Sequence, residues 1–404
     1  MTVSMAFLGV SLVGALFTLN AFVPVRHLPV LFIPSFFGSW VTVELAAHHV
    51  AWQAVATVVF VALGALDAWP GWVGLGITLA SWVGLAVLFS SGSRAHHVYD
   101  EVLAALPSPA VTHPVPWLQR VVPFAYRRPH VKVTRHVPFA EVDGTELHLD
   151  VVAPSTFAEG RPAILQVHGG AWIIGDKREQ GLALMGHLAA NGWVCFNANY
   201  RLSPKATFPE HLIDLKRALA WIRDHAEEYG VDPSFVAVTG GSAGGHLASL
   251  LALTWDDARY QPGFEGADTS VQAAVPIYGV YDFTNRTGEH RPSFVKGLLE
   301  PVVMKAKIDE EPEKFRDASP VDRVRPDAPP FFVIHGDHDS LSPVAGARLF
   351  VDRLGDVSEE PVLYAELRGA QHAFDVFCTP RTARTVEAVH RFLEAELERH
   401  RERD

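Results

Sequence analysis

Before Arg94 only three residues carry a formal charge: Arg26, Glu44 and Asp67. A helical domain folded in water does not keep charge so scarce over such a length, whereas a bilayer demands it. Residues 6–22 form an apolar run close to the roughly 20 residues needed to cross a membrane. Residues 46–66 are a second candidate span and 72–89 a third, with Trp69, Trp72 and Trp82 suited to interfacial or helix-end anchoring. A signal peptide fits poorly, because no Lys or Arg precedes the first run and further apolar segments follow it. Residues 28–37 are apolar but short and interrupted by Pro34, and read as interfacial or re-entrant. Residues 1–92 are thus expected to be a multi-pass cell-membrane region of about three helices. Glu44, His48 and His49 fall at the start of the second span, where a helix end lets them reach the interface.

The remainder of the 404 residues is densely charged and holds nearly all of the net charge of −11. That balance argues against a nucleic-acid partner, which asks for a basic face. Two cysteines, Cys195 and Cys378, make no disulfide framework. No Cys/His spacing resembles a zinc site, and neither a metal nor a cofactor is expected. Residues 93–130 form a bridge in which Pro107, Pro109, Pro114, Pro116 and Pro123 forbid long regular structure. From residue 131 to 404 strand and helix patterns alternate, the signature of a mostly parallel sheet covered on both faces. Residues 132–137 and 147–152 flank an Asp143-Gly144 turn and read as an opening antiparallel hairpin. Further strands are expected at 163–168, 194–199, 235–239, 272–278, 331–335 and 361–366, and helices near 178–190, 209–229, 242–253, 343–354 and 380–400. Residues 283–324, with Pro292, Pro301 and Pro312, are the natural insertion.

Phe235–Leu253 reads as buried strand, tight Gly-rich turn, then helix, with Ser242 at the tip inside Gly240-Gly241-Ser242-Ala243-Gly244. A serine on such a sharp turn needs neighbours without bulk, and it stands at a helix start that directs free N–H groups and a positive dipole end at the same point. A second apolar strand, 163–167, runs into His168-Gly169-Gly170-Ala171-Trp172. Glycines there let backbone N–H groups face a reacting centre. His168 reads as a structural tie for that loop.

HGGAW, then NYRLSP at 199–204, then GGSAGGHLA at 240–248, resemble in that order the hormone-sensitive-lipase-type branch of the α/β-hydrolases, over roughly residue 131 to the C-terminus. Two departures stand out: Gly241 occupies a place where many members carry an acidic residue, and His335-Gly336-Asp337-His338-Asp339 replaces the usual DPLxD segment. The resemblance implies an α/β-hydrolase fold with a partial cap, contributed by the bridge 93–130 and the insertion 283–324.

In this fold the chain order is Ser, acid, His. After Ser242 the acid follows the apolar strand 331–334, where Asp337 and Asp339 compete; the resembling HGxxD pattern places it at Asp339. The histidine comes from the loop after the last strand, at His372. His390 and His400, in the charged C-terminal helix, read as exposed, and His246 as packing under the Ser242 turn. The implied chemistry is acyl transfer to water: Ser242 as nucleophile, His372 as base, Asp339 as its orienting carboxylate, and the N–H groups of Gly170, Ala171 and Ala243 as the oxyanion hole. The expected substrate is a small-molecule or lipid ester. An amidase or arylformamidase-type activity and a noncatalytic ligand receptor are the alternatives. Arg26 and the basic residues after the third span, Arg94, Arg120, Arg127 and Arg128, put the catalytic domain on the cytoplasmic side.

Overall fold

The computed structural model describes residues 1–26, 28–108 and 111–403; of the bridge, Pro109 and Ala110 lie outside the described residues. Four long helices precede the sheet: α1 (Thr2–Phe22), α2 (Pro29–Glu44), α3 (Ala46–Ala62) and α4 (Trp69–Ser93), followed by the short α5 (Ala95–Val102). α1 lies along α4 at close range. Thr18 and Ser81 join their hydroxyls at 2.7 Å and Thr78 donates to Ser11 at 3.0 Å. A Cβ at Gly74 would come within 3.2 Å of the Leu8 backbone, so the small residue sets the approach. α1 is long and apolar enough to cross a membrane, as is α4 taken with α5; α2 and α3 meet that test only as a pair, bent by 90°.

α2 is the main departure from the sequence reading. The apolar run at 28–37 continues as helix to Glu44, with Pro29 at its first turn and Pro34 within it. Its polar residues Ser35, Ser39, Thr42 and Glu44 are buried. Glu44 does not reach an interface. It is enclosed against the C-terminal helix Pro380–Arg403, where its carboxylate lies 3.2 Å from Arg381 Nε.

The sheet has eight strands in the order β1-β2-β4-β3-β5-β6-β7-β8. These are β1 (Val131–Val142), β2 (Thr145–Pro154), β3 (Arg161–Val167), β4 (Val194–Ala198), β5 (Val231–Gly241), β6 (Ala273–Ile277), β7 (Phe331–Gly336) and β8 (Val362–Leu367). β1 pairs antiparallel with β2 and β2 antiparallel with β4, and every later pairing is parallel. The β1–β2 turn is the expected one: Asp143 and Gly144 both take positive φ, 52° and 72°, which matches the twist of the strands. β3, β4 and β5 are almost wholly buried, as strands covered on both faces must be.

The bridge does not sit over the site. Ala95, Tyr99, Leu103 and Val115 join the core that also holds Val389 and Phe392 of the C-terminal helix, and none of the described residues 93–130 lines the cavity above Ser242. Its apolar residues find a ready face on that helix, and α2 fills the roof position instead. Within the segment 283–324, Glu289, His290, Arg291, Ser293, Phe294 and Leu298 border that cavity.

Candidate active site

Ser242 sits between the end of β5 and the helix Ala243–Leu253, with φ 60° and ψ −122°. That conformation costs free energy, and the surrounding packing holds it. A Cβ at Gly240 would lie 2.5 Å from Gly244 carbonyl atoms, and one at Gly244 would lie 2.1 Å from the Val167 carbonyl oxygen. Both glycines are therefore demanded by contact. Gly241 has a similar cause. A Cβ there would meet the Tyr278 hydroxyl at 2.5 Å, so the tyrosine occupies space a side chain at 241 would need.

His372, in the loop after β8, places Nε2 2.8 Å from Ser242 Oγ. Its Nδ1 lies 2.6 Å from Asp339 Oδ2. The other oxygen of Asp339 accepts the N–H groups of Leu341 at 2.9 Å and Ser342 at 2.7 Å. Burial pushes the Asp339 carboxyl up, but the His372 and His335 rings beside it outweigh that and hold it well below the usual carboxylate range. Asp337 does not touch His372. It accepts the Gly369 N–H at 2.6 Å and pairs with His338 at 2.8 Å. Gln371, which sequence reasoning passed over, ties the two loops together: its Oε1 accepts from Ser340 N, next to Asp339, at 2.7 Å and from His372 N at 2.9 Å.

The loop after β3 faces the same point. Gly170 and Ala171 line the cavity that contains Ser242 and His372, both at positive φ, 111° and 53°. No intramolecular acceptor takes either N–H among the described residues. Ala243 opens the helix behind Ser242, in the turn whose N–H groups have no helical partner. His168 stacks on Tyr200 at 4.5 Å, and Tyr200 donates to its carbonyl at 3.1 Å, which fixes the start of the loop. His246 lies beneath: it accepts from Trp172 Nε1 at 3.2 Å, and its Nε2 is 2.7 Å from the Ala318 carbonyl.

Two further groups escaped the sequence reading. Asp375 is half-buried behind His372, bonded by the Tyr278 hydroxyl, and loss of hydration raises its carboxyl above the ordinary value. The Tyr278 ring lies 4.8 Å from that of His372. His390 is buried, contrary to expectation, with Nδ1 3.0 Å from His187 Nε2; its Nε2 lies 3.3 Å from Glu394 Oε1, which also accepts from Trp193 Nε1 at 2.6 Å. His400 is half-buried and bonds the Ser234 hydroxyl. Among the described residues no cluster of His, Cys, Asp or Glu could hold a metal ion.

The BD-FAE family model matches residues 149–354. The chain is 56% identical over 232 residues to "Probable carboxylic ester hydrolase LipM" of Mycobacterium tuberculosis, which covers 57% of this chain and 54% of that protein. It is 45% identical over 274 residues to "Esterase LipQ" of the same organism, covering 67% and 64%. Matches thus span less than two thirds of these relatives' length. A propionate-bound esterase structure from Thermogutta terrifontis superposes with a TM-score of 0.55 at 26% identity, over 66% of this chain and 94% of that one. Together with the fold, these likenesses show that the chain belongs to the BD-FAE family of hormone-sensitive-lipase-type α/β-hydrolases.

Proposed function

We propose that the protein is a membrane-anchored carboxylic ester hydrolase that works through Ser242, His372 and Asp339. One observation carries this reading: an unbroken hydrogen-bonded line, Ser242 to His372 to Asp339, opens on a cavity bordered by unpartnered backbone N–H groups. The esterase names of the relatives at 45% and 56% identity support the same reaction class.

In the proposed reaction His372 Nε2 takes the Ser242 proton as Oγ attacks the ester carbonyl carbon. Asp339 holds the ring with its Nδ1–H inward and balances the charge the ring gains. The carbonyl oxygen, now an oxyanion, meets the N–H groups of Gly170, Ala171 and Ala243. The C–O bond breaks, His372 Nε2–H protonates the departing alcohol, and the acyl group stays on Ser242. Water then attacks with the same histidine as base, which releases the acid and restores the hydroxyl.

The membrane part of the proposal rests on α1 and α4, long and apolar enough to span, and on their exposed apolar faces. Residues 1–92 are read as the membrane region, 93–130 as the bridge and 131–404 as the hydrolase.

Purified protein labelled with a fluorophosphonate should carry the adduct on Ser242, and Ser242→Ala should lose roughly a million-fold in kcat on p-nitrophenyl esters. Full activity in a folded Ser242→Ala variant would overturn the assignment. A panel of aryl formamides run beside the esters decides between ester and amide preference.

A further inference from the structure

The cavity above Ser242 has a volume of about 580 Å³, inside the range that holds sizeable organic ligands. Its composition is lopsided. The polar end is the reacting end, with Ser242 and His372. One whole wall is α2, which contributes Phe32, Ile33, Phe36, Phe37 and Trp40. Phe294 and Leu298 of the insertion stand across from it.

This wall is fixed in place. The Phe36 ring lies edge-on to His372 at 6.4 Å, and Trp40 Nε1 donates to the Ala373 carbonyl at 2.9 Å. The Arg291 guanidinium covers the Phe32 ring at 3.7 Å and bonds the Arg26 carbonyl, so the insertion is clamped to the start of α2. Arg26 in turn donates to the His338 carbonyl at 3.0 Å.

The same helix faces outward. Ile33 and Phe37 line the cavity yet remain 49% and 51% exposed. Ile174, on the loop that carries Gly170 and Ala171, stands at the mouth 66% exposed. On the same helix Val30 and Leu31 are exposed as well, as are Leu16 and Leu19 of α1. Water does not favour so much bare hydrocarbon, and lipid does. α2 turns by 90° from α3. With α1, α3 and α4 taken as the spans of the membrane-anchored reading above, a helix bent by that angle would lie along the membrane surface, as interfacial helices do. The opening of the cavity would then meet the layer in which the helices are embedded.

We propose that the substrate is a carboxylic ester resident in the bilayer and carrying a long hydrocarbon chain, and that α2 is the wall along which this chain passes from the membrane to Ser242. The proposal rests on the serine-hydrolase reading above. Its physical content is that the chain leaves lipid for the faces of Ile33, Phe36 and Phe37 without crossing water, so the cost of hydrating each methylene is never met. The polar head of the lipid stays near Glu289 and Arg291 at the rim. The bond chemistry is unchanged: the acyl C–O bond breaks, the alcohol leaves with the His372 proton, and water supplies the oxygen of the acid.

The test uses the full chain in phosphatidylcholine vesicles and a long-chain alkyl fluorophosphonate with a diazirine in mid-chain. The expected result is an adduct on Ser242 and, after irradiation, cross-links within Pro29–Glu44, at or beside Ile33 and Phe37. An adduct on Ser242 with cross-links confined to the insertion would overturn the proposal and leave the hydrolase reading standing. Failure to label Ser242 at all would remove the hydrolase reading itself. Steady-state kinetics probe the same path independently. In Ile33→Asp and Phe37→Asp, turnover of a vesicle-borne long-chain ester relative to a water-soluble acetate ester should fall about tenfold, through KM expressed as mole fraction in the bilayer. An unchanged ratio in both variants would sink the idea.

Discussion

Trp40 donates its indole N–H to the carbonyl of Ala373 at 2.9 Å, and Ala373 follows His372 directly in a left-handed conformation, φ 59°. A side chain from the apolar N-terminal region thus steadies the loop that presents the histidine. Trp40→Phe keeps an aromatic ring and removes the donor. Loss of one such bond, about 1 kcal/mol, should lower kcat on a short ester about threefold to tenfold with KM little changed. A wild-type kcat in this variant would show that the loop holds its shape unaided.

The two aspartates after β7 are separated by their partners. Asp339 is fully enclosed against His372, and Asp337 serves the Gly369 N–H and His338. Asp339→Asn should cut kcat by roughly 10³–10⁴-fold, because the amide no longer holds the ring tautomer. Asp337→Asn should stay within about tenfold of wild type. Steady-state kinetics on both variants decide it, and the reverse ranking would move the orienting carboxylate to Asp337.

Acid should weaken the fold before it protonates Asp339. Burial holds His246 and His211 down to about 3 and His187 down to about 2. In the unfolded chain a histidine titrates near ~6.5. Below that value the unfolded chain takes up protons the folded one refuses, so stability falls as pH drops from about 6.5, by up to ~1.4 kcal/mol per pH unit for each such histidine. Asp339 acts in another window. Its folded pKa is depressed, so its contribution is intact above ~4 and disappears only as pH falls toward the folded value. The Tm in detergent should therefore drop between pH 7 and pH 5. A flat Tm over that interval would mean that these rings gain protons without opening the core.

On the membrane-anchored reading proposed above, the contacts of α2 with the hydrolase would put the segment after α1 and the hydrolase on one side of the membrane. Arg26, Arg94, Arg120, Arg127 and Arg128 would then stand on that side, and such residues favour the cytoplasm. Alkaline phosphatase fused to the C-terminus should be inactive in intact cells. Strong phosphatase activity would place the domain outside.

The sheet was legible because its buried strands are short apolar runs bounded by turn residues, as at 163–167 and 331–334. The site was legible because Gly240 and Gly244 are forced by contacts of under 3 Å that no other residue survives. The full length of α2 was not legible for an equally physical reason. Ser39, Thr42 and Glu44 follow the apolar run that stops at Phe37, yet they are buried against protein, so helix continues where hydropathy stops. His390 was misread likewise: a charged helix can bury one face, and only the fold reveals that His187 waits there. The Tyr278–Asp375 pair joins residues 97 positions apart, a distance no local pattern spans.

The enclosed pair of Glu44 and Arg381 also bears on modularity. A buried charge that loses its partner is costly, of the order of 3–5 kcal/mol. A hydrolase cut free at residue 94 would keep Arg381 without Glu44, the His372 loop without Trp40, and a substrate cavity open along one side. The helices are thus no detachable anchor that could be exchanged for another or trimmed to make a soluble enzyme. The catalytic unit, counted by what holds it together, begins on the N-terminal side of α2.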